Sequence, residues 1–175
     1  MTLTYVSASG LDISWFTRTL AVGACFPKER LAELAREHRI KAVIDMRGEA
    51  RHDEAELRVH GIELLHLPTV DMDAATQPML DNGVAFARLH LDRGERVLVH
   101  CVHGIGRSPL LALCVLVDLG FEPLAALEHA KAARGTVSPS EAQYRGWAAW
   151  LARHGHPVPD YHAFGCVAYR HLAKG

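Results

Sequence analysis

Residues 96–108 read RVLVHCVHGIGRS, an apolar run that passes directly into a loop with two glycines. The run 96–100 has the length and the β-branched content that are typical of a buried strand. The residues after the loop favour a helix over 107–119 that ends before Gly120. A strand, a loop at 101–107 (the cysteine loop) and a helix N-terminus therefore follow one another. Such an arrangement can direct several backbone N–H groups at one anion.

Strand and helix patterns alternate before this segment, and only helix patterns follow it. Strands are predicted at 41–45, 62–66 and 96–100, and helices at 27–37, 76–92, 107–119, 123–135 and 138–153. The last helix begins with SPSE at 138–141, which predicts a capping box of Ser138 and Glu141 with Pro139 at the first helical position. This order of elements indicates an α/β layered fold with a helical C-terminal part.

The 175 residues suit one domain, and 49% of them are hydrophobic, which is enough to build a core. The 19 basic and 20 acidic residues nearly cancel. A net charge of -1 gives no general attraction to nucleic acid or to an anionic membrane, so neither is expected as a partner. A charged substrate must therefore be bound by local groups.

Residues 1–10 lack the basic and apolar segments of a secretory signal. The longest apolar run, 110–117, is far shorter than the roughly 20 residues needed to span a bilayer. We therefore expect a cytoplasmic protein whose cysteines are reduced. The four cysteines, at positions 25, 101, 114 and 166, form no CxxC pair, which argues against a zinc or redox motif. A disulfide between Cys25 and oxidised Cys101 is left open.

Cys101 and Arg107 stand at the two ends of the cysteine loop, with five residues between them. The loop amides, the helix N-terminus and the guanidinium group all favour a thiolate. The pKa of Cys101 is therefore expected to lie below the value of about 8.5 for a free cysteine. The planar guanidinium of Arg107 matches two oxygens of a phosphate group. The pattern predicts a nucleophile inside an anion-binding loop.

Residues 100–108 resemble the HCxxGxxRS signature of the protein tyrosine phosphatase superfamily and match it at every fixed position. The central cysteine, placed after a candidate acid, is similar to that of the dual-specificity branch. The resemblance covers about 12–153. It implies a single phosphatase domain over 1–175, with a compact dual-specificity phosphatase-like α/β fold whose central, mostly parallel sheet is flanked by helices. Residues 156–175 form a C-terminal extension, and its packing is left open.

The resemblance also implies a function, namely hydrolysis of phosphomonoesters through a thiophosphate intermediate on Cys101, without a cofactor or a metal. The implied substrates are phosphotyrosine, and also phosphoserine or phosphothreonine, in proteins, or a small phosphomonoester. Ser108 would hydrogen-bond the thiolate and ease its departure, and His100 would support the loop from behind. Arg107 would bind the phosphate and stabilise the transition state. The residues expected to surround the phosphate are Val102, His103, Gly104, Ile105, Gly106 and Arg107.

The candidate general acid lies in the segment LPTVDMDAA at 67–75. This segment is similar to the acid loop of the family, in which an aspartate follows a proline by three residues, as Asp71 follows Pro68. Asp71 lies 30 residues before Cys101, a separation that suits the dual-specificity branch. Asp73 is the alternative acid.

Three other polar residues have counterparts in the family. Asp45, two residues before Arg47, resembles a strand-end Asp-x-Arg and is expected to be structural. Ser140 stands where relatives carry the asparagine of a Pro-Asn pair. Gln143 resembles a glutamine that positions the hydrolytic water in some branches, and an ordinary helix position is the alternative.

Several other functions are weighed against this one. A phosphate-binding pseudophosphatase would usually have lost the cysteine, the arginine or the acid. An RNA 5′-phosphatase of the same fold is expected to carry a basic track with aromatics. Phosphoinositide-directed relatives often place Lys or Arg in the loop, where here His103 alone can gain charge, so a monophosphate ester is favoured. The 12 histidines are dispersed, with His154 and His156 a close pair at a helix end, which argues against a metal phosphohydrolase. The oligomeric state is left open.

Overall fold

The computed structural model describes residues 10–173. The two ends of the predicted domain, 1–9 and 174–175, lie outside the described residues, and so does most of the segment from which the missing export signal is inferred. The strands are β1 (Ile13–Trp15), β2 (Leu20–Gly23), β3 (Ile40–Arg47), β4 (Glu63–Thr69) and β5 (Arg96–His100). The helices are α1 (Leu31–Arg36, after a 3-10 turn at Lys28–Arg30), α2 (Glu54–Val59), α3 (Gln77–Leu91), α4 (Arg107–Asp118), α5 (Pro123–Ala133), α6 (Glu141–Arg153) and α7 (Tyr161–Ala168).

The described residues form one sheet of five strands in the order β1-β2-β5-β3-β4. β1 pairs antiparallel with β2, whereas β2 with β5, β5 with β3 and β3 with β4 pair in parallel. This arrangement confirms the predicted α/β fold with a central, mostly parallel sheet flanked by helices. Ligand sites in open parallel sheets lie beyond the carboxyl ends of the strands. Because β5 is the middle strand, the cysteine loop begins at the centre of that edge.

Alternate residues of the middle strand face two hydrophobic clusters. Val97 and Val99 belong to the cluster that contains α4, whereas Leu98 belongs to the cluster that contains α1. Residues 107–117 of α4 are all buried. A helix that is apolar on all sides belongs inside the protein. Burial of α4 therefore fixes the end of the cysteine loop, just as pairing of β5 fixes its beginning.

The N-terminus of α6 differs from the prediction. Its capping box is formed by Ser140 and Gln143, two residues later than predicted. Gln143 N donates to Ser140 Oγ at 3.2 Å, and Ser140 N donates to Gln143 Oε1 at 2.8 Å. Ser138 has another partner, since its N–H donates to the carbonyl of Ile105 in the cysteine loop at 2.9 Å. The predicted box at Ser138 was therefore wrong, because this residue holds the cysteine loop instead.

The sequence patterns do not predict β1, β2, α2 or α7, which contain three, four, six and eight residues. In elements this short, a hydrophobic periodicity spans too few positions to be recognised. α7 lies in the C-terminal extension, whose packing the sequence leaves open. Its residues Phe164 and Val167 are buried in the larger cluster. The buried Lys131 also donates through Nζ to the carbonyl of Ala168 at 2.6 Å, so α7 is part of the core.

Candidate active site

Cys101 lies directly after β5 and is buried, with 3% of its surface exposed. Its Sγ accepts a hydrogen bond from Gly104 N at 3.2 Å and lies 3.3 Å from Ser108 Oγ. Burial alone would raise the pKa of this thiol. Hydrogen bonds from the hydroxyl and the N–H of Ser108 and from Gly104, together with the charge of Arg107, bring the pKa below its ordinary value. The site therefore favours a thiolate.

Two glycines allow the cysteine loop to fold tightly. Gly104 has φ +67°, and a Cβ on this residue would lie 2.7 Å from the carbonyl oxygen of Gly23. A Cβ on Gly106 would lie 2.5 Å from Oε1 of Gln143. Side chains at these positions would therefore push the loop away from β2 and α6.

Arg134 holds the cysteine loop from behind. Its Nη2 donates to the carbonyl of His103 at 2.8 Å and its Nε donates to the carbonyl of Gly104 at 2.8 Å. Asp12 accepts from Nη1 and Nη2 of the same guanidinium at 2.7 and 2.9 Å. Arg134 thus binds two carbonyl groups of the cysteine loop and fixes its backbone. The sequence does not predict this pair of Arg134 and Asp12, since 122 residues separate them.

Arg107 is 2% exposed and uses one edge of its guanidinium for structure. Nη1 donates to Glu49 Oε2 at 2.7 Å and to the carbonyl of Thr69 at 2.9 Å, and Nη2 donates to Glu49 Oε1 at 2.8 Å. The hydrogen bonds to Arg107 lower the pKa of Glu49 to about 2, and the bond to Glu49 raises the pKa of Arg107. Within residues 10–173, Nε has no hydrogen-bond partner. Three of the five N–H donors of the guanidinium are thus used, and the edge that contains Nε makes no hydrogen bond with the described residues.

Asp71 lies in the loop at 70–76 between β4 and α3, which we call the aspartate loop. Its Oδ1 is 3.4 Å from Arg107 Nε and accepts a hydrogen bond from Met72 N at 3.0 Å. The side chain is 71% exposed, so it can reach solvent or a ligand above the cysteine loop. Asp73 is also exposed. The structure therefore brings Asp71 to the free edge of Arg107.

The aspartate loop is attached to the beginning of α6. Ser140 Oγ donates to the carbonyl of Met72 at 2.6 Å, and Gln143 Nε2 donates to the carbonyl of Asp73 at 3.2 Å. A Cβ on Gly146 would lie 2.6 Å from Cβ of Ala74, so this glycine lets the loop approach the helix. Gln143 is buried and binds backbone at both ends of its amide. Its contacts support a structural role, and the predicted role in positioning water stays a prediction.

A buried pair of histidines lies behind Cys101. His100 Nε2 is 2.9 Å from His52 Nε2, and His100 Nδ1 is 3.1 Å from the carbonyl of Cys101. Burial lowers the pKa of His100 to about 4 and also lowers the pKa of His52. Asp45, as expected, is structural, since both of its carboxylate oxygens accept hydrogen bonds from Arg47.

Donor atoms of Asp45, His52 and His100 lie within 4.8 Å of one another, so these residues could hold a metal ion. Such an ion would have to replace the hydrogen bond between the two histidines and compete with Arg47 for Asp45. The present contacts therefore describe a hydrogen-bonded cluster.

Cys25 lies beside the cysteine loop, and its N–H donates to the carbonyl of Val102 at 3.0 Å. Its thiol is free and exposed, whereas that of Cys114 is free and fully buried. A disulfide between Cys25 and Cys101 stays a hypothesis.

Two surface cavities flank α2 and not the cysteine loop. One, of ≈ 420 Å³, is lined by residues 61–64 and two side chains of α2, and the other, of ≈ 330 Å³, is lined by residues of α2 and of the turn before α1. Neither contains the groups around Cys101. Between residues 10 and 173, no helix combines the length and the apolarity that crossing a bilayer requires.

Comparison with known proteins agrees with this geometry. Residues 22–121 match the model of a family described as Tc-R-P, polymorphic toxin system, DSP-PTPase phosphatase. A probable protein tyrosine phosphatase type IVA A from Dictyostelium discoideum is 29% identical over 91 residues, which cover 50% of this chain and 55% of that protein. Protein tyrosine phosphatase type IVA 3 from Mus musculus is 26% identical over 99 residues, which cover 55% of this chain and 57% of that protein. The chain thus spans about half the length of the curated relatives it matches.

The fold is also found among solved structures. PTPMT1 in complex with PI(5)P superimposes with a TM-score of 0.76 and 25% identity, over 81% of this chain and 95% of that one. These similarities confirm the predicted resemblance to the protein tyrosine phosphatase superfamily and its dual-specificity branch.

Proposed function

Because the chain belongs to the DSP-PTPase phosphatase family of polymorphic toxin systems, we propose that it hydrolyses phosphomonoesters through a thiophosphate intermediate on Cys101. One observation carries this proposal. The sulfur of Cys101 accepts a hydrogen bond from Gly104 N and lies beside Ser108 Oγ, in a loop that ends at Arg107, whose Nε makes no hydrogen bond with the described residues. A nucleophilic sulfur and an anion-binding guanidinium group therefore belong to the same loop.

In the first step, the N–H groups of the cysteine loop and the Nε edge of Arg107 bind the phosphate oxygens. The thiolate of Cys101 attacks phosphorus, the P–S bond forms and the ester P–O bond breaks. Asp71, protonated at this stage, gives its proton to the leaving oxygen. Asp71 Oδ1 lies 3.4 Å from Nε of Arg107, so a bound phosphate displaces this carboxyl group from Nε and leaves it beside the leaving oxygen.

In the second step, water attacks the phosphorus of the intermediate and gives a proton to the carboxylate of Asp71. The P–S bond breaks, and the thiolate leaves with a hydrogen bond from Ser108. The distance of 3.3 Å between Ser108 Oγ and Cys101 Sγ supports this assignment. The products are an alcohol or phenol and inorganic phosphate, and the thiolate is regenerated. His100 supports the cysteine loop through its contact with the carbonyl of Cys101.

The charges around the loop favour a substrate with one phosphomonoester group. The guanidinium groups of Arg47 and Arg134 are paired with Asp45 and Asp12, so they offer little to a second phosphate. Inside the loop, His103 is the exposed side chain that can gain charge. We propose phosphotyrosine of proteins as the main substrate, with phosphoserine, phosphothreonine and small phosphomonoesters as further ones.

A phosphoinositide is a second candidate, because the structurally similar PTPMT1 forms a complex with PI(5)P. Comparing turnover of a phosphotyrosine peptide with that of a short-chain PI(5)P would decide between them. The cytoplasmic location inferred from the sequence stays a prediction.

The proposal is tested by turnover of p-nitrophenyl phosphate in EDTA. We expect metal-independent hydrolysis that is lost in Cys101→Ser and strongly reduced in Asp71→Asn, with Asp73→Asn as the matched control. Loss of activity in Asp73→Asn instead would move the acid role to that residue. A folded wild-type protein that binds vanadate but releases no product would contradict the proposal and favour a phosphate-binding module.

A further inference from the structure

We propose that His52 is a positioning residue for the cysteine loop. It donates its Nε2–H to His100 and thereby fixes the tautomer of His100 that hydrogen-bonds the carbonyl of Cys101. The contribution to turnover rests on the proposed function, whereas the hydrogen-bonding form of His100 can be measured in a protein without activity. His52 has no counterpart in the signature at 100–108, and it comes from a distant part of the chain.

The contacts of His52 leave it little freedom. It is 9% exposed, and its ring stacks on Phe26 with 4.5 Å between centroids and 18° between the planes. The ring centroid lies 4.9 Å from that of His100, and the two Nε2 atoms are 2.9 Å apart. Phe26 also contacts His100, at 5.0 Å between centroids. The three rings therefore form one buried cluster at the end of β5, in which the ring of His100 is tilted against the other two.

The carbonyl of Cys101 determines the direction of these hydrogen bonds. A carbonyl oxygen can only accept, so His100 must carry its hydrogen on Nδ1 to bond with the carbonyl of Cys101 at 3.1 Å. A neutral imidazole with Nδ1–H has a bare Nε2, which accepts. The hydrogen between the two Nε2 atoms therefore belongs to His52, and the chain of donors runs from His52 through His100 to Cys101.

Within residues 10–173, the only hydrogen-bond partners of the His100 ring are His52 and the carbonyl of Cys101. The carboxylate of Asp45 has an oxygen 3.7 Å from His100 Nε2, beyond hydrogen-bond length, and it can only accept. Both of its oxygens are bound to Arg47. Without a donor at His52, the bare Nε2 of His100 would be buried and unsatisfied. The alternative form, with the hydrogen on Nε2, would lose the bond to the carbonyl of Cys101.

His52 also connects this chain of hydrogen bonds to Arg107. It lies in the loop at 48–53 between β3 and α2, three residues after Glu49, which binds both terminal nitrogens of Arg107. The next residue, Asp53, caps α2 by accepting from two backbone N–H groups. The loop at 48–53 is thus attached at one end to the arginine and near its other end to the backbone of the cysteine.

The test combines nitrogen NMR of the histidines with cysteine reactivity in four proteins, namely wild type, His52→Gln, His52→Asn and His52→Phe. Gln places an amide N–H near the position of Nε2, whereas Asn places it near Nδ1, and Phe keeps the stacking on Phe26 without a donor. In the wild type we expect His100 to carry its hydrogen on Nδ1. In His52→Phe and His52→Asn this form should lose its dominance, and kcat/KM should fall on the order of tenfold. His52→Gln should restore both to within about twofold of wild type.

Alkylation of Cys101 by iodoacetamide, followed against pH, reports on the thiolate in each variant without any turnover. A wild-type His100 with its hydrogen on Nε2 would overturn the inference. Equal NMR signals and equal alkylation in wild type and in a folded His52→Phe would also overturn it. Histidine signals that shift on addition of EDTA would reveal a bound metal and would likewise overturn it. If His52→Phe fails to fold, the comparison of Gln with Asn decides. If His100 gives the expected signals but the protein releases no phosphate, this inference is supported and only the proposed function is contradicted.

Discussion

Glu49 accepts one hydrogen bond from each terminal nitrogen of Arg107, at 2.7 and 2.8 Å, and leaves the Nε of that arginine without a hydrogen-bond partner in the described part of the chain. The carboxylate thus occupies the edge of the guanidinium that points away from Asp71 Oδ1, which lies near Nε. In this arrangement Glu49 orients Arg107 and does not compete with a phosphate for the free edge.

Replacing Glu49 by Gln should therefore weaken catalysis, because an amide oxygen can accept from one terminal nitrogen while the amide N–H₂ opposes the other. The side chain of Glu49 is 47% exposed, so solvent reduces the effect. We expect kcat/KM for p-nitrophenyl phosphate to fall about tenfold, equivalent to about 1.4 kcal/mol. Glu56→Gln, which breaks an exposed ion pair with Lys28, is the matched control. An increase in kcat/KM in Glu49→Gln would mean that the carboxylate competes with phosphate.

Gly146→Ala should disturb the aspartate loop, since the added Cβ would lie 2.6 Å from Cβ of Ala74, an atom that cannot move without its backbone. We expect kcat/KM to fall about tenfold for an alkyl phosphate, whose leaving group needs a proton, and less for p-nitrophenyl phosphate, whose leaving group needs little help. Gly165→Ala in α7 is the control, because its Cβ would make only ordinary contact with Tyr169. Equal losses on both substrates would argue against an effect on the acid.

Ser108→Ala should raise the pKa of Cys101, because it removes a hydrogen bond that stabilises the thiolate. The rise reflects the loss of one hydrogen bond to a charged group. The pH dependence of alkylation by iodoacetamide measures it. Ser138→Ala, which removes an exposed hydroxyl that donates to Thr136, should leave the pKa unchanged. Ser108→Ala should also hydrolyse the thiophosphate intermediate more slowly. An unchanged pKa of Cys101 in Ser108→Ala would remove Ser108 from the proposed mechanism.

The buried His100 predicts a loss of stability in mild acid. Burial lowers its pKa from 6.5 to about 4, so the unfolded chain binds more protons than the folded protein between these two values. The free energy of unfolding should therefore fall as the pH is lowered, by about 2 kcal/mol between roughly pH 7 and pH 5. His52, whose pKa burial also lowers, adds to the loss in the same direction. Urea unfolding at several pH values measures the change.

The carboxyl groups with lowered pKa values change the free energy of unfolding only below about pH 5. The pKa values of Glu49 and Asp81 lie at about 2, against ordinary values of 4.5 and 3.8, so their contributions are lost at lower pH. His100→Asn should flatten the dependence between pH 7 and 5. A slope equal to that of the wild type would mean that His100 is not the group responsible.

The central part of the fold follows from local patterns. The apolar run at 96–100, the two glycines of the cysteine loop and the apolar helix after it are each recognisable in isolation, and the structure has β5, the loop and α4 at these positions. The four residues assigned by the family signature and the acid loop, Cys101, Arg107, Ser108 and Asp71, also lie close together.

The supporting residues could not be predicted in the same way. Glu49 binds Arg107 across 58 residues, and Asp12 binds Arg134 across 122, so each is in sequence an ordinary surface charge. His52 likewise acquires a role only when β3 and β5 pair and bring its loop to His100. These residues act through the tertiary structure, and one sequence contains no local signal for them.

The covalent intermediate on Cys101 is tested most directly by trapping it. Ser108→Ala protein would be mixed with p-nitrophenyl phosphate, quenched within milliseconds in detergent at neutral pH, digested and examined by mass spectrometry. We expect one phosphate on the peptide that contains Cys101, formed as fast as the first release of p-nitrophenol and absent when Cys101 is replaced by Ser. Turnover that continues in Cys101→Ser, or phosphate found on a different residue, would contradict the account.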